Sequence, residues 1–175
     1  MIEPCDPYAT VGSVPPPLGG PVSDEPQTGS VKAASSGAGS AAEIAQRVIK
    51  LARTMLNVPY RFGGSTLRGI DCSAYVQRVY GLIDVQLPRT AREQYSLGAR
   101  IVRDDIQTGD LVFFRTYASF PSHVGIYLGE NLFIHASSML HRVAVDSMDR
   151  PYYRKRFIGA RRLVVDSAPA VASVP

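Results

Sequence analysis

One cysteine and two histidines supply the side chains that nucleophilic attack on a carbonyl requires. Cys72 lies in the segment GIDCSAYVQ, where a glycine-containing loop leads into a predicted helix; His123 lies in HVGIYLG and His135 in FIHAS. The unpaired N–H groups and the positive end of a helix stabilise a thiolate at its first residues. The sequence therefore predicts Cys72 as a nucleophile in its ionised form.

The two histidines fall on neighbouring strands of a predicted hairpin. Strand-forming runs at 123–128 and 132–136 flank the turn-forming tripeptide Gly-Glu-Asn at 129–131. His123 and His135 are 12 residues apart, and an even spacing can place both side chains on one face. Diagonal neighbours on adjacent strands lie about 7 to 8 Å apart, so their imidazoles can touch. One ring can then act as a base while the other fixes its orientation.

Two other interpretations of these three residues stay open. A cysteine near a helix start more commonly packs as a small apolar side chain, and an isolated strand histidine is more commonly structural. Cys72, His123 and His135 are also residue types that zinc accepts, but no fourth ligand stands at a customary spacing. The shared face of the histidines and the position of the cysteine at a loop-to-helix junction favour catalysis.

Helical patterns dominate the first half of the folded part. Ser40 and Glu43 form a capping-box pattern that starts a helix, and Pro59 requires this helix to stop by Asn57. Residues 60–70 contain three glycines and read as a loop.

Helix and strand patterns continue to the end of the folded part. A second helix is predicted from 71 to 82, and Thr90 with Glu93 forms a second capping box before a short helix. Strands are predicted at 111–114, 123–128, 132–136, 142–145 and 157–165. The predicted fold class is α+β, with N-terminal helices, including the one that carries Cys72, packed on an antiparallel sheet of about five strands.

Composition divides the chain into three parts. Residues 1–40 contain 7 Pro, 6 Gly and 6 Ser and read as a disordered tether, and residues 165–175 read as a disordered tail. Residues 41–164 form the predicted domain. Its 18 basic and 10 acidic residues up to position 163 give a net charge of +8, which favours anionic partners.

The sequence gives no sign of an integral membrane segment. No apolar stretch approaches the roughly 20 residues that span a bilayer. The N-terminus lacks the basic and apolar regions of a secretory signal, so either the chain is not exported or its signal was removed. Two cysteines in the chain leave its redox compartment open.

Six blocks of residues, in order, carry a family resemblance. They are YRFGGSTLRGIDCSAYVQ, LPRTAREQ, TGDLVFF, HVGIYLG, FIHASS and FIGARRL. The chain resembles the NlpC-type papain-like cysteine peptidases that cut bacterial cell-wall peptides, most closely the small single-domain murein DD-endopeptidase lipoproteins of Gram-negative envelopes. The resemblance covers residues 41–164 and implies a papain-like fold.

The resemblance implies roles for individual residues. Cys72 would be the nucleophile, His123 the general base and His135 the polar residue that orients His123. Three further positions match family positions close to the substrate: Tyr60, which in the family approaches the reacting carbonyl, and Asp71 and Ser73.

The implied activity is hydrolysis of peptide bonds in peptidoglycan through a thioester, with neither metal nor organic cofactor. Cleavage of a cross-link at a D-amino-acid linkage is expected, and cleavage after D-glutamate within the stem peptide is the alternative. A non-catalytic wall-binding module is the rival from another class. The expected location is the periplasm or another part of the cell envelope, with the cytoplasm as the alternative, and the expected state is a monomer.

Two features near the C-terminus receive milder interpretations. His141 is expected to be exposed or structural, with a place at the groove edge as the alternative. The run Tyr152–Arg156 has the basic and aromatic mix of nucleic-acid surfaces, but its position before a strand favours a solvated edge. No nucleic-acid partner is therefore expected.

Overall fold

The computed structural model describes residues 40–163. Its helices are α1 (Ala41–Thr54), α2 (Cys72–Gly81), α3 (Ala91–Gln94) and α4 (Pro151–Arg154). Its strands are β1 (Ser65–Thr66), β2 (Gly69–Ile70), β3 (Ala99–Ile101), β4 (Leu111–Phe114), β5 (His123–Gly129), β6 (Leu132–Ser137), β7 (Arg142–Ser147) and β8 (Phe157–Arg162). The predicted tether before Ser40 and the predicted tail at 165–175 lie outside the described residues.

Both predicted capping boxes are confirmed. Ser40 and Glu43 exchange side-chain and backbone hydrogen bonds at the start of α1, and Thr90 and Glu93 do the same before α3. Each box pairs two N–H groups that a helix start would otherwise leave open. Within residues 40–163, no helix has both the length and the apolar character that crossing a membrane requires.

The main sheet has six antiparallel strands in the order β3-β8-β4-β5-β6-β7. The five strands predicted from the sequence are all present, and the prediction of an antiparallel sheet with helices is confirmed. The sixth strand, β3, was missed because it is a three-residue edge strand with two exposed positions and no apolar run. β1 and β2 form a separate two-residue hairpin inside the segment predicted as a loop.

The helices α1 and α2 pack on one face of the sheet. This side of the core contains apolar side chains of both helices and of strands β4 to β7, namely Val48, Ala52, Val76, Val79, Leu111, Phe113, Val124, Ile126, Ile134, Ala136 and Val143. A second cluster on the opposite face includes Phe114, Phe133, Met148 and Tyr153. Strands β4, β5 and β6 are therefore buried on both faces of the sheet.

The hairpin between β5 and β6 is tight and fixes the register of its strands. Glu130 and Asn131 form the tip with φ of 53° and 56°, the left-handed values of a two-residue hairpin turn. Ile126 pairs with Ile134, and the same register brings Gly125 opposite His135. A Cβ on Gly125 would lie 2.6 Å from Phe133 Cδ2 and 3.1 Å from His135 Cβ, so only glycine fits there.

We expect Gly125→Ala to lower the free energy of unfolding by about 1 to 3 kcal/mol, because the added methyl overpacks the hairpin. The matched control is Gly81→Ala, since a Cβ at Gly81 meets nothing within 4 Å and α2 ends there. The control should be neutral or stabilising by up to about 1 kcal/mol. Urea denaturation followed by circular dichroism measures both, and equal stabilities of the two variants would contradict the packing argument.

Candidate active site

Cys72 is the first residue of α2, as the sequence predicts. Asp71 caps this helix, with its Oδ1 accepting a hydrogen bond from the N–H of Ala74 at 2.8 Å. Cys72 Sγ lies 4.0 Å from the backbone oxygen of Ser122, at the residue before β5. The sulfur therefore lies where the start of α2 meets the start of β5.

A surface groove opens over the cysteine. Among the residues that line it are all but one of the predicted site residues, namely Tyr60, Asp71, Cys72, Ser73 and His123. The remaining one, His135, is fully buried behind His123. Phe62 and Tyr117 are exposed aromatic residues of the same groove, with ring centroids 6.0 Å apart. The groove thus presents one thiol and one imidazole to a bound molecule.

The two imidazoles contact each other directly. His123 Nε2 and His135 Nδ1 are 2.7 Å apart, and the rings are nearly perpendicular with an interplanar angle of 89°. The hairpin register makes these residues diagonal neighbours on one face of the sheet, as their spacing predicts. Because Nε2 of His123 is engaged with His135, Nδ1 is the ring nitrogen that remains for another partner.

Burial keeps the thiol and both imidazoles uncharged. Desolvation raises the pKa of Cys72 to about 12, with a further contribution from the charge of Asp71, and hydrogen bonds from nearby backbone N–H groups oppose this only in part. Desolvation lowers the pKa of His123 to about 4, against the smaller opposing effects of Asp146 and Asp71. Burial and then the neighbouring His123 lower the pKa of His135.

The expectation of an ionised thiol at rest is therefore corrected. The helix N-terminus does act on Cys72, since N–H groups at its start lower the thiol pKa. Desolvation of the sulfur, together with the negative charge of Asp71, outweighs that effect. A neutral thiol and a neutral imidazole that line the same groove are the resting arrangement.

Arg89 is a site residue that the sequence analysis did not single out. Its Nη2 donates to Asp71 Oδ2 at 2.6 Å, and its Nη1 donates to Asp71 Oδ1 and to Ser73 Oγ, both at 3.0 Å. Asp71 and Ser73, predicted to contact substrate, are thus bound to each other and to Arg89. Only the block LPRTAREQ within the family resemblance pointed to this arginine.

Tyr60 and His141 meet through the backbone at one side of the groove. The N–H of Tyr60 donates to the carbonyl oxygen of His141 at 2.9 Å, and Tyr60 also bridges to Ile70. The side chain of Tyr60 is half-buried and lines the groove. His141 is exposed, as expected, and has a positive φ of 55°.

Tyr153 supports the imidazoles from behind. It is 3 % exposed and lies in α4, with ring centroids 5.6 Å from His135 and 6.4 Å from His123. The sequence analysis placed the run Tyr152–Arg156 on a solvated edge, and for Tyr153 this was wrong. A short helix turns that one aromatic ring inward while the basic residues stay outside.

The described residues do not form a metal site. Across positions 40–163, no group of three His, Cys, Asp or Glu side chains is arranged to hold an ion. His123 and His135 direct ring nitrogens at each other over 2.7 Å instead of at a common point. The zinc interpretation of Cys72, His123 and His135 therefore has no geometric support.

Comparison with known proteins identifies the family. Residues 57–162 match the model of the NlpC/P60 family. The chain belongs to this family, whose members are cysteine peptidases. The family resemblance noted in the sequence and the papain-like fold that it implies are confirmed.

Curated relatives and a solved structure are similar over most of the described residues. Murein DD-endopeptidase MepS/murein LD-carboxypeptidase of Escherichia coli (strain K12) is 42 % identical over 123 residues, covering 70 % of this chain and 64 % of the relative. Probable endopeptidase NlpC of the same strain is 46 % identical over 107 residues, covering 60 % of this chain and 69 % of the relative. A lipoprotein-like NLP/P60 family protein from Staphylococcus aureus has a TM-score of 0.64 at 33 % identity, covering 70 % of this chain and 42 % of that chain.

We expect Arg89→Met to lower the free energy of unfolding by about 1 to 3 kcal/mol, because the buried Asp71 loses its charged donor. Arg92→Met is the matched control, since Arg92 is exposed and lies over the ring of Phe120. That variant should change stability by no more than about 0.5 kcal/mol. Urea denaturation compares the two, and a smaller loss in Arg89→Met than in Arg92→Met would contradict this role of Arg89.

Proposed function

We propose that this protein is a cysteine endopeptidase that hydrolyses peptide bonds of peptidoglycan. The main observation behind the proposal is that Cys72 and His123 line one groove while His135 holds His123 from behind at 2.7 Å. Cys72 is the nucleophile, His123 the general base and His135 the orienting residue. Membership of the NlpC/P60 family supports this function, and so do the endopeptidase names of the E. coli relatives.

The reaction starts from the uncharged Cys72 thiol and the uncharged His123 imidazole. As Cys72 Sγ bonds to the carbonyl carbon, the thiol proton moves to Nδ1 of His123, and negative charge develops on the carbonyl oxygen. Backbone N–H groups at the start of α2 stabilise this oxyanion. Proton transfer that accompanies attack avoids an ion pair in the desolvated resting site.

Three further proton transfers complete the reaction. The tetrahedral intermediate collapses as the C–N bond breaks, and His123 returns its proton to the leaving amine, which leaves a thioester on Cys72. Water then attacks the thioester and gives a proton to His123, which passes it to the departing sulfur. The products are the amine, a carboxylic acid that releases its proton to solvent, and the regenerated thiol, and no cofactor takes part.

Three other residues shape the proposed substrate site. Tyr60 lines the groove beside Cys72, in keeping with a position near the reacting carbonyl. Asp71 and Ser73 also line it, but their side chains are bound to Arg89. We infer that Tyr60 contacts substrate directly and that Asp71 and Ser73 do so at the groove floor while Arg89 holds them in place.

The substrate class follows from charge and from the relatives. The described residues carry an excess of basic side chains, which attracts the carboxylates of stem peptides. The name of the MepS relative supports cleavage of a cross-link at a D-amino-acid linkage, and cleavage after D-glutamate in the stem is the alternative. Because peptidoglycan is part of the cell envelope, we propose that the protein acts there. We also propose that it acts as a monomer.

Digestion of purified peptidoglycan tests the substrate and the nucleophile together. Mass spectrometry of the released fragments identifies the bond, and separated cross-linked dimers are the expected product. Cys72→Ser should lower kcat by at least about a thousandfold while binding to insoluble peptidoglycan is retained. Undiminished hydrolysis by Cys72→Ser would contradict the nucleophile, and an inactive parent that still binds would favour the non-catalytic wall-binding module.

The pH dependence of kcat/KM tests the protonation state of the base. His123 must be neutral to accept the thiol proton, and its lowered pKa of about 4 shifts the acid limb below the ordinary histidine value. We expect kcat/KM to stay level from pH 7 to 5 and to fall tenfold per unit below about 4. Circular dichroism at each pH controls for unfolding, and a half-loss near pH 6.5 would contradict the lowered pKa.

A further inference from the structure

Asp146 is a buried carboxylate that lies next to the imidazole pair and has no role in the steps above. Its Oδ2 is 4.0 Å from His135 Nε2, and the two side chains are 5 % and 0 % exposed. His135 Nε2 has no hydrogen-bond partner within the described residues, although it is fully buried. A buried ring nitrogen without a partner is costly unless a nearby group favours its protonation state.

The backbone register places Asp146 close to His135. In the β6–β7 register His135 pairs with Ala144, so Asp146 is its diagonal neighbour on the same face of the sheet. The Asp146 Oδ1 atom accepts from the N–H of Ser147 at 2.9 Å, and Arg150 Nη1 donates to Oδ1 at 2.9 Å and to Oδ2 at 3.1 Å. The carboxylate is thus held with Oδ2 toward His135.

Within residues 40–163, the charged and titratable groups that interact with Asp146 include His123 on β5, His135 on β6, Arg150 at the start of α4 and Tyr153 within α4. The guanidinium of Arg150 binds both oxygens of the Asp146 carboxylate. Tyr153 stays protonated, since burial and then the charge of Asp146 raise its pKa. Asp146 therefore presents a negative charge to His135.

The hydrogen bond between the histidines permits two proton arrangements. In the first, His123 Nε2–H donates to His135 Nδ1, so His135 carries its proton on Nε2 and His123 Nδ1 is free to accept. In the second, His135 Nδ1–H donates to His123 Nε2, so His123 carries its proton on Nδ1. Only the first arrangement leaves His123 able to take the proton of Cys72.

We propose that Asp146 is a positioning residue that keeps the proton of His135 on Nε2 and so selects the arrangement in which His123 is a base. The inference rests on the proposed function of His123. A carboxylate attracts an N–H dipole and repels the lone pair of an unprotonated ring nitrogen, and a dry interior strengthens both effects. At 4.0 Å the influence is electrostatic, because the distance exceeds that of a hydrogen bond.

The same carboxylate also supports the reaction once His123 accepts a proton. Its negative charge opposes the effect of burial on His123 and favours the imidazolium form. The positive charge that develops on His123 during attack is thereby stabilised through His135. Asp146 thus acts on the base in both of its states, without contact to substrate.

Nitrogen-15 NMR of the histidine rings in the full 175-residue chain identifies which ring nitrogen of His135 carries the proton. In the parent protein we expect His135 to carry its proton on Nε2. In Asp146→Asn the amide can turn either its oxygen or its NH₂ toward His135, so a mixture with the Nδ1–H form should appear. The value of kcat for peptidoglycan hydrolysis should then fall about 10- to 100-fold with little change in KM.

Arg150→Gln is the matched control for a merely structural role. It removes the ion pair with Asp146, but the β6–β7 register and the N–H of Ser147 still hold the carboxylate on the side of His135. The tautomer and kcat should therefore stay close to those of the parent. A parent His135 protonated on Nδ1, or an Asp146→Asn variant with parental tautomer and kcat, would overturn the proposal. So would equal losses in both variants.

The parent measurement keeps the test decisive if Asp146→Asn does not fold. The tautomer is read without substrate, whereas the nucleophile is tested by Cys72→Ser. Failure of this inference and failure of the proposed function are therefore separate results.

Discussion

A hydrogen bond between two uncharged imidazoles in a dry interior is the constraint on which the site depends. His123 Nε2 lies 2.7 Å from His135 Nδ1, and His135 is completely buried. An imidazolium would lose its hydration there, so burial lowers the pKa of both rings. The two nitrogens must share a single proton in this contact, which couples the orientation of each ring to the protonation of the other.

Several elements of the fold position the other groups of the site around the two imidazoles. The tight hairpin makes the histidines diagonal neighbours, and glycine at position 125 leaves room for the side chains of Phe133 and His135. Tyr153 closes the space behind the rings, and α2 brings its first residue, Cys72, to the start of β5. Each element buries apolar surface for stability, and the reactive groups lie at the edge of that packing, where the groove opens.

Local rules predicted much of this arrangement from the sequence. Capping boxes at Ser40 and Thr90 fixed two helix starts, and the even spacing of the histidines predicted a shared face. The strand β3 was missed because edge strands of three residues carry no periodic signal. Local patterns predict elements well when the signal lies within one helix or one hairpin.

The features that the sequence analysis missed depend on contacts between distant segments. Arg89 reaches Asp71 across 18 residues, and Tyr153 turns inward only because α4 packs under the sheet. Asp146 acquires its position from the register of β7, which the sequence does not specify. The ionisation of Cys72 was predicted wrongly for the same reason, since desolvation depends on everything packed around the sulfur.

In the resting site the Cys72 thiol and the His123 imidazole are both uncharged. The rate of Cys72 alkylation by iodoacetamide as a function of pH tests this most directly, because the thiolate is the reactive form. Peptide mapping separates Cys72 from Cys5, the second cysteine of the sequence. We expect a rate that is slow at pH 7 and still rises through pH 10, in line with a thiol pKa raised to about 12. A rate that is already at its plateau at pH 6 would reveal a preformed thiolate–imidazolium pair and contradict an uncharged resting site.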